Sequence, residues 1–107
     1  MARQPYKDPF YVSQRQAFAR ARSQASFRGE PWTLTFEDWQ DFWPPGIWEL
    51  RGRGPGCLCL TRLDLARPWS RKNCCRMDRL DAVRIGRKRS SGLPLDQSLW
   101  SSAVYLN

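Results

Sequence analysis

Residues 57–74, CLCLTRLDLARPWSRKNC, constrain the fold more than any other stretch of the chain. Side chains alternate from Cys57 onward with the period of two that marks a β-strand. The alternation breaks at Arg67-Pro68-Trp69, where proline has no N–H to give to a ladder. It resumes around Asn73-Cys74. The stretch therefore reads as a strand–loop–strand hairpin carrying Cys57, Cys59 and Cys74, several basic groups and a single carboxylate, Asp64. Three chemistries are open to it: a zinc site, a hairpin that grips nucleic acid, and the remains of a nuclease centre.

The flanking segments read as helices. Pro5 and Pro9 mark residues 1–12 as an extended N-terminal arm, with Phe10 and Tyr11 able to anchor it. SQRQAFARARSQASFRG follows as a helix, opened by a Ser13/Gln16 capping box and stopped by Gly29. Phe18, Ala21 and Ala25 share one face, and Arg15 and Arg22 border it, either as a solvated flank or as phosphate contacts. PWTLT (31–35) is short and β-like. TFEDWQDFW then predicts a second helix with Thr35 as N-cap, Asp38 three residues on, and Phe36, Trp39, Phe42 and Trp43 on one core-facing side. Pro44-Pro45-Gly46 ends it. After the hairpin, CRMDRLDAVRIG predicts a third helix with Met77, Leu80 and Val83 inward and Gly86 at its end. RKRSSG reads as a basic linker, and residues 93–107 as a tail with an apolar side. The order helix, helix, hairpin, helix makes a small single-domain α+β protein: an arm (1–12), a core (13–86), and a basic linker with its tail (87–107). With 107 residues and fourteen aromatics (six Trp, five Phe, three Tyr), one small core is within reach.

The cysteines are tested first as ligands. Cys57-x-Cys59 and Cys74-Cys75 could offer four thiolates, but adjacent Cys74 and Cys75 point to opposite faces of a strand. Small buried hydrophobes in a hairpin are the plainer reading. Catalysis has little to draw on, because the chain has no histidine, the usual general base and commonest metal ligand. Asp64 reads as one half of an ion pair with Arg62.

Charge gives the strongest functional signal. Net charge is +8, and fifteen of the eighteen basic residues are Arg, whose planar fork suits phosphate and stacks on bases. Arg51, Arg53, Arg62, Arg67, Arg71 and Lys72 cluster about the hairpin, and Arg87, Lys88 and Arg89 form a second patch. Gly52, Gly54 and Gly56 would let backbone approach a phosphate closely. Trp69 sits where it could stack or plug the loop. Such a cluster reports affinity for polyanions, not sequence preference. No apolar h-region opens the chain and no run approaches a membrane span, so a cytoplasmic protein with reduced thiols is expected.

The combination WTLTFEDWQDFW, RGRG and CLTRLDLARPWSRKNC resembles small phage-encoded HNH-like (His-Me finger) proteins. The matching positions are Arg62, Asp64, Trp69, Ser70, Asn73 and Cys74, within a likeness spanning about residues 15–85. The resemblance implies a ββα-metal-like hairpin and helix laid on a DNA backbone. It implies that Asn73 braces the loop and that Asp64 lies near a divalent-metal position, with Mg2+ as cofactor if nuclease activity remains. The general base of active members is missing here, because the chain has no histidine.

The leading expectation is a degenerate HNH-like domain that binds DNA without cutting it and needs no cofactor. Two others are carried. One is a phage inhibitor or adaptor docking, through residues 93–107, on an acidic face of a host enzyme such as RNA polymerase or a defence nuclease, or else a minor virion protein. The other is a metal-dependent nickase.

Overall fold

Helix α1 spans Pro9–Phe27. Proline at the first helical position loses nothing by lacking an N–H, and its fixed φ already suits a helix. Asp8 is the N-cap, its carboxylate accepting a hydrogen bond from the Phe10 N–H at 3.0 Å. This start outcompetes the one expected at Ser13, so residues 9–12 are helical and not an extended arm. The computed structural model describes residues 8–106, and Pro5 with the rest of the expected arm lies outside them. Gly29, at φ +73°, follows the C-cap where a left-handed residue is wanted. Gln14, Ala17, Phe18 and Ala25 are the buried residues of α1, with Ala21 packed beside them.

Helix α2 spans Phe36–Phe42 and opens with the expected capping box. Asp38 accepts from the Thr35 N–H at 3.0 Å, and Thr35 Oγ1 accepts from the Asp38 N–H at 3.1 Å. Trp39, Phe42 and Trp43 are buried, with Phe36 packed against them, as the spacing predicts.

Strand β1 (Leu58–Arg62) pairs antiparallel with β2 (Cys74–Asp78), in register from Leu58↔Asp78 to Arg62↔Cys74. This hairpin lies between two apolar clusters. Cys74, Leu58 and Leu60 face α1 and α2, whereas Cys75, Met77 and Cys59 face the other side with Ile85 and Leu99. Burial on both faces explains why Cys74, Cys75 and Met77 are all buried, and why alternation is faint in β2.

Helix α3 runs Arg79–Ser90, later than expected, because residues 74–78 are claimed by the ladder. Asp78 caps it, accepting from the Leu80 N–H at 2.8 Å. Met77 is buried from the strand, Leu80 is 46% exposed, and Ile85 is the buried residue of the helix. Gly86 lies inside α3, which stops before Gly92 at φ +68°. Arg87, Lys88 and Arg89 therefore form the last helical turn, where positive charge complements the helix dipole, and are not a linker.

The tail packs back on the domain. Val104 exchanges backbone hydrogen bonds with Arg76 (2.7 and 3.0 Å) along β2, and Leu99 is buried. Ser102 Oγ donates to Asp81 at 2.7 Å and accepts from the Asp78 N–H at 3.1 Å. The chain is thus a small α+β fold, two helices followed by a hairpin and a helix. Among the described residues no helix is long and apolar enough to cross a membrane.

Candidate nucleic-acid interface

The hairpin loop is held by two side chains at the strand ends. Asn73, 7% exposed, accepts from the Asp64 N–H (3.0 Å) and donates to the carbonyls of Asp64 (2.9 Å), Pro68 (2.9 Å) and Arg67 (3.3 Å). Arg62, 6% exposed, donates to the carbonyls of Leu65 (3.0 Å) and Arg67 (3.1 Å) and pairs with Glu30 at 3.1 Å. Arg62, Asp64 and Asn73 do converge, but Asp64 enters through its main chain. Its carboxylate accepts from the Ala66 N–H at 2.9 Å and lies 3.8 Å from Arg67 Nε, so the ion pair expected with Arg62 is formed by other partners.

Several residues expected at phosphates are occupied within the fold. Arg62 is buried. Arg71 bridges Asp38 (3.1 Å) and Asp41 (2.7 Å) on α2. Arg89 donates to the carbonyls of Arg62 (3.2 Å) and Leu63 (2.7 Å). Arg67 and Lys72 are exposed on the loop, Arg87 is exposed at the end of α3, and Lys88 beside it is half-buried. Gly52 serves packing: a Cβ there would lie 2.9 Å from Cys57 Sγ. Gly56 sits at φ +81°, a turn position that favours glycine. Trp69 both plugs and ties the loop. Its indole donates to Glu30 at 3.0 Å, and its carbonyl accepts from the N–H groups of Thr33 (2.8 Å) and Leu34 (3.1 Å).

The cysteines do not gather. Among the described residues no three of His, Cys, Asp or Glu form a cluster able to hold a metal. Burial pushes the Cys74 thiol up to about 12 and the Cys75 thiol up to about 11. Burial also raises Cys59, against a hydrogen bond from Arg79.

Where the positive charge does converge is a groove of about 440 Å³ between α1, the 51–53 loop and β1. Arg20 and Gln24 of α1 and its C-cap Arg28, spaced i, i+4, i+8, line it from one side of the helix. Arg51 and Arg53 from the 51–53 loop line it as well, as does Arg79, hydrogen-bonded to Cys59. Trp32, Trp39, Trp43, Trp69, Leu58 and Leu60 also line it, and among the described residues no carboxylate does. The Arg51 guanidinium lies 4.1 Å from the Trp48 ring centre and under 6 Å from those of Trp39 and Trp43. Burial, and secondarily the charge of Arg20, lowers the pKa of Arg51. Arg28 shares its charge with Glu30 at 2.9 Å.

Arg20, Arg28 and Arg79 escape a reading by local clusters, because they are scattered along the sequence. The available signal was the row Arg20-Gln24-Arg28 next to the inward row Ala17-Ala21-Ala25, in which Ala21 is partly buried; Arg15 and Arg22 lie together on a different shallow hollow, beside Phe18. Comparison with family models, curated proteins and solved structures returns no match to this chain.

Proposed function

We propose that the protein binds nucleic acid through the arginine-lined groove and does not cut it. One observation carries the reading: Arg20, Arg28, Arg51, Arg53 and Arg79 line a single concavity, and among the described residues no carboxylate is part of its wall. Like charges brought together repel, and a low-dielectric tryptophan floor strengthens that field. A polyanion offsets the repulsion and gains affinity from released counterions. Net charge of +8 steers the encounter.

The HNH-like likeness supports the same reading from another direction. The hairpin is followed directly by a helix, and Asn73 braces the loop between its strands. The chain has no histidine to activate water, which favours a binding role over cleavage. DNA is the partner the likeness implies.

The test is fluorescence anisotropy with labelled oligonucleotides. Arg20→Glu/Arg53→Glu alters exposed side chains and should keep its circular dichroism spectrum while losing nearly all binding. Unchanged affinity in that folded variant would overturn the proposal, and would turn attention to an acidic protein face as the occupant of the groove.

A further inference from the structure

Phe27, the last residue of α1, is 93% exposed. A single exposed ring is ordinary on a protein surface; what singles out Phe27 is its place beside the arginine groove. It lines a hollow of about 350 Å³ together with Ser23, Arg20, Gln24, Arg28 and Arg53. The last four also line the arginine groove, so the two form one track. Inside the groove stand Trp32 and Trp69, both half-buried, with ring centres 6.0 Å apart and planes tilted by 35°. Their orientations are held, because Trp32 donates to the Leu34 carbonyl and Trp69 to Glu30, each at 3.0 Å. Aromatic surface thus lies at both ends of the track, with Arg20, Arg28 and Arg53 between.

We propose that the occupant of this track is single-stranded nucleic acid, with one base stacked on Phe27, another against the Trp32/Trp69 wall, and the intervening phosphates on the three arginines. The inference rests on the nucleic-acid reading above and refines it. Stacking on a side chain requires an exposed base face, which a duplex hides in its own stack. Guanidinium contacts to phosphate and aromatic stacking do not read base edges, so the track tolerates many sequences.

The experiment titrates the full chain with fluorescein-labelled oligo-dT and with a hairpin duplex of equal nucleotide count. The single strand should bind at least tenfold tighter than the duplex and should quench tryptophan emission. Phe27→Ala changes a solvent-facing side chain and should keep the fold. It should weaken single-strand binding by about fivefold or more, the lower end for loss of one base–aromatic stack, and leave duplex binding unchanged. Equal affinity for the two DNAs overturns the inference. So does a silent Phe27→Ala in a protein that still loses binding on Arg20→Glu/Arg53→Glu, and in either case the nucleic-acid reading stands. A shift in the sedimentation of the free protein on Phe27→Ala would instead mark the ring as a self-association surface and overturn the inference. Binding to neither DNA would overturn both readings.

Discussion

Replacing Asn73 with alanine removes the brace of the hairpin loop. The side-chain oxygen holds the Asp64 N–H at 3.0 Å, and the amide nitrogen faces the carbonyls of Asp64 and Pro68 at 2.9 Å and of Arg67 at 3.3 Å. Two amide hydrogens cannot serve three carbonyls fully, so the side chain counts as three good bonds. At about 1 kcal/mol net for each, Asn73→Ala should cost about 3 kcal/mol. That is a large part of the roughly 5–15 kcal/mol that holds a domain folded, and it corresponds to a fall of about 10–20 °C in Tm. Urea melts followed by tryptophan emission measure it. Asn73→Asp sharpens the test: it keeps the shape and one acceptor but sets a carboxylate against three carbonyls. It should cost at least as much as alanine at pH 7. A loss below about 1 kcal/mol for alanine, or a well-tolerated aspartate, would refute the view that hydrogen bonding from Asn73 organises the loop.

Other outcomes follow from the same geometry. With thiols raised to about 12 and 11 by burial, Cys74 and Cys75 should resist a thiol reagent at pH 8 in the folded protein and react on unfolding, as peptide mapping would show; labelling of either at the rate of an open thiol would contradict the packing. Glu30 is held below the usual carboxylate range, chiefly by the hydrogen bond from Arg28, with burial opposing and Trp69 and Arg62 assisting. For Asp38, burial pushes upward, and bonds from Thr35 and Arg71 outweigh it. Depressed carboxylates contribute stability that is complete above the unfolded-chain value near pH 4 and is lost as pH falls further. Melts from pH 6 down to pH 2 should show that loss, and Glu30→Gln should flatten part of it; an unchanged slope would remove Glu30 from the account. Gly52→Ala should destabilise by about 1–3 kcal/mol through its clash with Cys57, and Cys57→Ala in the same chain should recover part of that loss in a thermal melt.

Local chemistry carried most of the fold into the sequence. Thr35 and Asp38 announce α2, the aromatic spacing gives its buried side, and Pro68 with the resumed pattern at Asn73 gives the hairpin. The misreadings have physical causes. Pro9 looks like a helix breaker until Asp8 is seen to cap it, which turns it into a helix starter. Residues 75–78 read as helix because burial on both faces erased the strand alternation. Arg87–Arg89 read as a linker although they belong to the last turn of α3. The role of Asn73 as brace came from the HNH-like resemblance and not from any spacing, and its bonds to the Asp64, Arg67 and Pro68 backbone match that expectation. The groove was not legible, because its arginines come from α1, the 51–53 loop and the start of α3, and only tertiary packing joins them. The compact sequence cluster misled for a related reason: Arg62, Arg71 and Arg89 are spent on carbonyls and carboxylates of the protein itself.

The central claim is that the groove, and not the hairpin loop, holds the phosphates. It is tested by the salt dependence of oligonucleotide binding in two paired variants, Arg20→Gln/Arg53→Gln in the groove and Arg67→Gln/Lys72→Gln on the loop. Each single-strand phosphate left without its cationic partner lowers the slope of log K against log salt by about 0.7. The groove pair should therefore lose about 1.4 of slope, while the loop pair keeps the slope of the unaltered protein. A slope that falls for the loop pair and holds for the groove pair would contradict the account.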